Sequence, residues 1–341
     1  MTISFMQREA LAAAEAVARQ QSATRDPFAA LAARLQAQPP ARIATVARGS
    51  SDHAANYLAY LIMSRTGKLV TSVPMSLVTL QHAPLEADNT LAIAISQSGQ
   101  GPDVIATMQH FQNNGANTVA FVNTIGSPLA KLVGTAIDLS AGPEQSVAAT
   151  KSFITSLTAS ASLVAHWQND SRLLDGLAAL PDAMTAAGGG DWSAAVEQLA
   201  PAGRAMIVGR GLGFSIALEA ALKCKETSAL QAEAFTGAEI VHGPMALIES
   251  GYPLLIIATR GPEMAGLVQL ADDMRQKGAN VMLAAPAEVP SRTLTIPAAP
   301  VPELDPVMAV QAFYVMAAGL AAARGLNPDA PSHLIKVTKT H

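Results

Sequence analysis

A repeat constrains this chain more than any other feature of it. Val46-Ala47-Arg48-Gly49 returns as Val208-Gly209-Arg210-Gly211, 162 positions on, and Gly115-Ala116-Asn117 returns as Gly278-Ala279-Asn280, 163 positions on. Gly101-Pro102-Asp103 is echoed by Gly261-Pro262-Glu263. Between these anchors, short apolar runs alternate with segments of helical periodicity. In the first copy the runs are Arg42–Ala47, Leu69–Val73, Leu91–Ile95, Thr118–Val122 and Thr135–Leu139. Strands alternating with helices predict a parallel sheet covered on both faces. Two copies of one such unit account for 341 residues better than one large sheet. The expected fold class is therefore α/β: two tandem doubly wound, flavodoxin-like parallel sheets, with ligands at the strand C-termini.

The repeat also sets the expected boundaries. A helical segment occupies 1–40, punctuated by Pro27 and Pro39-Pro40, and the first α/β unit runs over 41–168. A polar, glycine-rich linker, 169–191, contains Gly188-Gly189-Gly190. The second unit covers 192–326, and a tail covers 327–341. Val307–Ala323 carries no charged side chain and approaches membrane-span length. Gln311 and several alanines dilute it, however, and Asp305 and Arg324 border it, so it reads as a buried core or subunit-interface helix.

Composition narrows the function classes. With 50% hydrophobic and 14% charged residues the chain has a large core, and its net charge of −4 gives no electrostatic reason to bind nucleic acid or an anionic membrane. The lone Cys224 cannot form an internal disulfide, and its Ala/Leu-rich setting favours packing over nucleophilic work. Arg8 and Glu9 break any secretory signal, so a cytoplasmic enzyme is expected.

Chemistry-bearing residues gather after strands. Glu219, Lys223 and Glu226 lie at i, i+4 and i+7 of a helix that follows Gly209, Gly211 and Gly213. His242 follows in the turn Val241-His242-Gly243-Pro244. A carboxylate, a lysine and a histidine can move protons on a small polar substrate. Glu219 to Lys223 also has the order of a solvated helix pair, and that is the expectation for Glu219. Ser50-Ser51 and Ser96-Gln97-Ser98-Gly99 each follow a strand and precede a helix. Their hydroxyls and backbone N–H groups suit a phosphate, although serine also caps helices routinely. The second copy offers Ala258, Thr259 and Arg260 where the first has Ser96, Gln97 and Ser98, so one composite site from unlike halves is expected. No GxxxxGK[ST] or GxGxxG spacing occurs, and the histidines and cysteine form no zinc-like pattern. His53, His82, His110 and His166 read as structural or surface residues.

Taken together, LKCKETSALQAEAFTGAEIVHGP closely resembles the LKxKExxxxxAEAxxxxExxHGP segment in the isomerase half of glucosamine-6-phosphate synthase. Arg48–Ala54 and Ser96–Gln100 resemble the two phosphate loops of the sugar isomerase (SIS) domain, with Gln100-Gly101 where that family has Glu-Thr. Val147-Ala148-Ala149-Thr150-Lys151 resembles its VASTK segment, with Ala149 in place of serine. Pro331–Lys336 resembles its PRNLAK tail, with Ser332 in place of arginine, and Met6–Glu9 resembles the start of the isomerase half.

The resemblance implies roles. Glu226 would shuttle a proton between C1 and C2 of a hexose phosphate, Lys223 would stabilise charge, and His242 would open the ring from the neighbouring subunit of a homodimer. Lys336 would assist ring opening through a transient Schiff base. Ser50, Ser51, Ser96, Gln97, Ser98 and Gly101 would bind phosphate, and Val147 and Ala149 the sugar. No metal or organic cofactor is expected. The chain begins MTISFMQRE and has no second cysteine, so no glutaminase half is expected. Deamination of glucosamine 6-phosphate to fructose 6-phosphate is the expected reaction. A galactosamine 6-phosphate or fructosamine 6-phosphate enzyme, or a non-catalytic sugar-phosphate sensor, are the alternatives.

Overall fold

The computed structural model describes residues 3–336, so 337–341 of the expected tail lie outside the described residues. The chain builds two compact units from interleaved stretches. One takes the chain up to Ala14, Glu144–Ile154 and Ala179–Leu334; the other takes Glu15–Pro143, Thr155–Ala178 and the chain from Ile335.

The second of these units holds β1 (Arg42–Val46), β2 (Val70–Ser72), β3 (Thr90–Ser96), β4 (Asn117–Val122) and β5 (Thr135–Asp138), all parallel, in the order β2-β1-β3-β4-β5. The other holds β6 (Arg204–Gly209), β7 (Gln231–Thr236), β8 (Pro253–Ile257), β9 (Asn280–Ala285) and β10 (Leu294–Thr295), in the order β10-β9-β8-β6-β7. Read from the other edge, that is the same order as the first sheet, so the repeat is one of topology as well as sequence. It is the doubly wound flavodoxin-like order, whose connections turn opposite ways from its first and third strands. Those switch points fall between β1 and β3, and between β6 and β8.

Each sheet has its own core. One packs Val46, Ala92, Ala94, Met108, Phe111 and Val122; the other packs Val208, Leu254, Ile256, Leu267, Met274 and Leu283. The Asp305–Ala323 helix is buried along most of its length and packs against the helices Phe5–Leu11 and Phe214–Ser228. It is apolar enough to cross a membrane but lies mostly inside the protein. The core reading of this segment therefore holds.

The structure adds detail at two places. Within the stretch 169–191, Ser171–Ala187 is helical and is followed by a turn at Gly188, Gly189 and Gly190, all at positive φ. Its Leu173, Leu177, Leu180 and Met184 are buried, and that apolar spacing outweighs the polar residues between them. Pro27 does not end a helix, since Ala13–Ala37 runs through it. Burial of Phe28, Leu31 and Leu35 on the following turns compensates for the missing hydrogen bond, a loss of about 3 kcal/mol in an isolated helix.

Candidate active site

The first switch point is lined with hydroxyls. Val46 pairs with Ala94, so the loops leaving β1 and β3 emerge side by side. Gly49 adopts φ 54 and ψ −133, backbone that only glycine takes up readily, and launches the Ser50–Thr66 helix. The β3 loop turns at Gly99, where φ is +62 and a Cβ would fall 2.1 Å from Ser127 Oγ. The Gly99 N–H donates to Ser96 Oγ (3.0 Å) and the Gln100 N–H to Ser98 Oγ (3.3 Å), which fixes both hydroxyl oxygens while their protons can still be donated. Gly101 then caps the Pro102–Asn113 helix, with Pro102 at its first position. Ser50, Ser51, Ser96, Gln97 and Ser98 are all half-buried. This unit thus brings together the predicted phosphate-binding residues, beside two helix N-termini that favour an anion.

Charged groups also flank this cradle. Arg48 Nε pairs with the buried carboxylate of Asp103 at 2.9 Å. Burial pushes the Asp52 carboxyl up, against the opposing pulls of His53, Ser72 and Arg48.

The second switch point differs in kind. Arg260 donates to Asp305 through Nε (2.8 Å) and Nη2 (2.5 Å), and to the Ala299 carbonyl (2.6 Å). Gly211, at φ +61, backs onto the Glu263 carboxylate, which a Cβ would approach to 2.6 Å. A neutralised arginine and a carboxylate make a poor phosphate site. The asymmetry between the two copies follows from these side chains on one shared backbone plan.

The second copy instead carries the proton-transfer groups. Gly209 leaves no room for a Cβ, which would meet the Gly213 carbonyl oxygen at 2.5 Å, and so permits the tight turn into the Phe214–Ser228 helix. That helix packs on β6, on β7 and against Asp305–Ala323. Its Lys223 is 1% exposed, with Nζ 2.5 Å from Glu226 Oε2 and 3.3 Å from Glu219 Oε1. Burial would lower the Lys223 pKa, but Glu219 and Glu226 outweigh it, and the net direction is upward. The ammonium therefore stays charged. Glu226 keeps 22% of its side-chain surface open, so the carboxylate reaches the surface while its lysine partner lies behind it.

Glu219 overturns an expectation. It is not a solvated partner of Lys223 but fully buried, and it accepts a hydrogen bond of 2.9 Å from Tyr314 Oη. The helix is covered on this face by Asp305–Ala323, so the pair that suits a solvent-facing helix here points inward. The absence of charge in Val307–Ala323 was the available signal, because such a helix must be buried against something.

His242 is exposed at the end of a 3₁₀ turn, Glu239–His242, which Ile240 anchors in the core, and Gly243 follows at φ +144. It is not a member of the Glu219–Lys223–Glu226 cluster. Val147 and Ala149 are half-buried in a loop held by two carboxylates that the sequence did not single out. Glu144 accepts from Thr150 N (3.0 Å), Ser152 N (3.1 Å) and Ser152 Oγ (2.8 Å), and Glu9 from Gln145 N (2.5 Å). The Val147 N–H donates to the Asp329 carbonyl, 3.1 Å away. Lys336 is half-buried at the end of the described chain. His166 stacks on Phe28, and His110 Nε2 lies 3.1 Å from the Leu85 carbonyl, both consistent with structural roles. Burial pushes the Cys224 thiol up to about 12, which disfavours the thiolate that nucleophilic work needs.

The SIS domain family matches residues 37–166 and 198–286. Glutamine–fructose-6-phosphate aminotransferase (isomerizing) of Aeropyrum pernix is 34% identical over 315 residues, covering 86% of this chain and 50% of that protein. The chain thus spans about half the length of the curated relatives it matches. Among solved structures, a protein of Silicibacter pomeroyi described as a candidate phosphosugar isomerase is 38% identical, with a TM-score of 0.91 over 96% of this chain and 100% of that one. The C-terminal domain of the Francisella tularensis glucosamine–fructose-6-phosphate aminotransferase is 23% identical, with a TM-score of 0.85 over 97% and 99% of the two chains.

Proposed function

Because this chain belongs to the SIS domain family, we propose that it is a phosphosugar aldose–ketose isomerase acting as a glucosamine-6-phosphate deaminase. The observation that carries the reading is the pairing of an accessible Glu226 carboxylate with a buried Lys223 ammonium. A base must reach the substrate, and the cation that steadies developing negative charge works best away from water.

In this reading Ser50, Ser51, Ser96, Gln97, Ser98 and Gly101 hold the phosphate. His242, from a neighbouring copy in a homodimer, and Lys336 assist ring opening. Glu226 removes the C2 proton of the open aldehyde form and returns it at C1, while Lys223 stabilises the enolamine formed between the two transfers. The resulting C2 imine takes up water and releases ammonia, leaving fructose 6-phosphate. Loss of ammonia in water is the favoured direction for such an imine.

Ala149 in place of the family's serine supports a second reading on a different epimer or regiochemistry, such as galactosamine 6-phosphate or a fructosamine 6-phosphate. An ammonia-release assay over this panel tests both. Glucosamine 6-phosphate should be deaminated, and Glu226→Gln should lower turnover at least ~100-fold. Binding of these sugars without turnover would point to a sensor instead.

A further inference from the structure

We propose that Tyr314 is a positioning residue that sets how Lys223 is shared between Glu219 and Glu226. The inference rests on the proton-transfer role of Glu226 proposed above, and it adds a side chain that no matched motif contains. Tyr314 Oη donates to Glu219 Oε1 at 2.9 Å, and Lys223 Nζ lies 3.3 Å from that same oxygen. Lys223 sits closer to Glu226, at 2.5 Å. Tyr314 and Glu219 are fully buried and Lys223 nearly so, which leaves water little part in the competition.

Two donors thus meet on one carboxylate oxygen. Hydrogen bonding to an anion spreads its charge, so the phenol weakens the pull of Glu219 on the ammonium. Lys223 is then left to Glu226, the carboxylate that faces substrate. The ring of Tyr314 is fixed edge-on to Phe153, centroids 6.3 Å apart, and tilted against Phe313. Burial first, then Glu219 and the charges of Glu144 and Glu226, hold the phenol well above the ordinary tyrosine range, so it remains a donor. Glu219 therefore serves as an internal counter-charge whose strength Tyr314 trims.

Tyr314→Phe keeps the ring packing and removes only the hydroxyl. A crystal structure of the variant should show Lys223 Nζ closer to Glu219 than 3.3 Å and withdrawn from Glu226. Turnover should fall about tenfold, a coupling expected between contacting groups, with KM changed less than about twofold. Adding Glu219→Gln should restore much of the loss, since a neutral amide exerts no such pull. An unmoved Lys223, or losses that simply add in the double variant, overturns the proposal. If the unaltered protein transfers no proton between C1 and C2, the proposed function fails, while the crystal structure still decides whether Tyr314 positions Lys223.

Discussion

Replacing Lys223 by methionine probes the buried cluster most directly. At 3.3 Å, a unit-charge pair in a medium of effective dielectric ~20 attracts by ~5 kcal/mol before desolvation is counted. Removing the ammonium leaves Glu219, fully buried, without that counter-charge, and breaking a buried pair in this way costs about 3–5 kcal/mol. Glu226, 22% exposed, can turn its charge to water and should add little. The two tryptophans make the assay selective: Trp192 is buried in the unit that contains Lys223, and Trp167 lies in the other. In a Trp167→Phe background, urea unfolding followed by fluorescence reports the relevant unit. We expect Lys223→Met to lower its stability by about 3–5 kcal/mol near neutral pH and by clearly less near pH ~4.5, where protonation relieves the orphaned carboxylate. Adding Glu219→Gln should recover most of the loss, because the glutamine carbonyl can still accept from Tyr314. A loss below ~1 kcal/mol, or one unaffected by pH, refutes the placement of an ionised Glu219 in the core.

Three further outcomes follow from the same geometry. Ser98→Ala should weaken fructose 6-phosphate binding by roughly 1.5–3 kcal/mol in calorimetry but leave affinity for unphosphorylated fructose nearly unchanged; equal losses would indicate misfolding. Stability should decline as pH rises above about 9, because Cys224, Tyr314 and Lys223 all have folded-state pKa values raised above their ordinary 9.0, 10.0 and 10.5. Between the unfolded and folded values the native state holds more protons, so each group contributes a loss of up to about 1.4 kcal/mol per pH unit; a urea midpoint constant from pH ~8 to ~11 contradicts this. Finally, mixed dimers of Glu226→Gln and His242→Ala should contain one intact site in two, so random mixing should recover about a quarter of full activity. Verified mixed dimers without activity would place His242 in its own subunit's chemistry or outside it.

Much of this protein is legible in the residues alone. The recurrence of Val-Ala-Arg-Gly as Val-Gly-Arg-Gly, and of Gly-Ala-Asn, determined two copies of one α/β plan, because short apolar runs between helical segments have few other ways to bury themselves. The loops at Ser50 and Ser96–Ser98 could be placed at strand ends by order along the chain, and the i, i+3 spacing of Lys223 and Glu226 put them on one helix face. Tertiary packing decided the rest. Spacing cannot distinguish a face turned to water from one turned inward, so the covering helix Asp305–Ala323 made Glu219 a buried counter-charge rather than a surface residue. Tyr314, 95 positions from Glu219, joins it only through that packing. Likewise, Glu9 became a support of the Val147–Ala149 loop, and Asp305 engaged Arg260 at the second switch point, because folding alone brings these distant carboxylates to their donors.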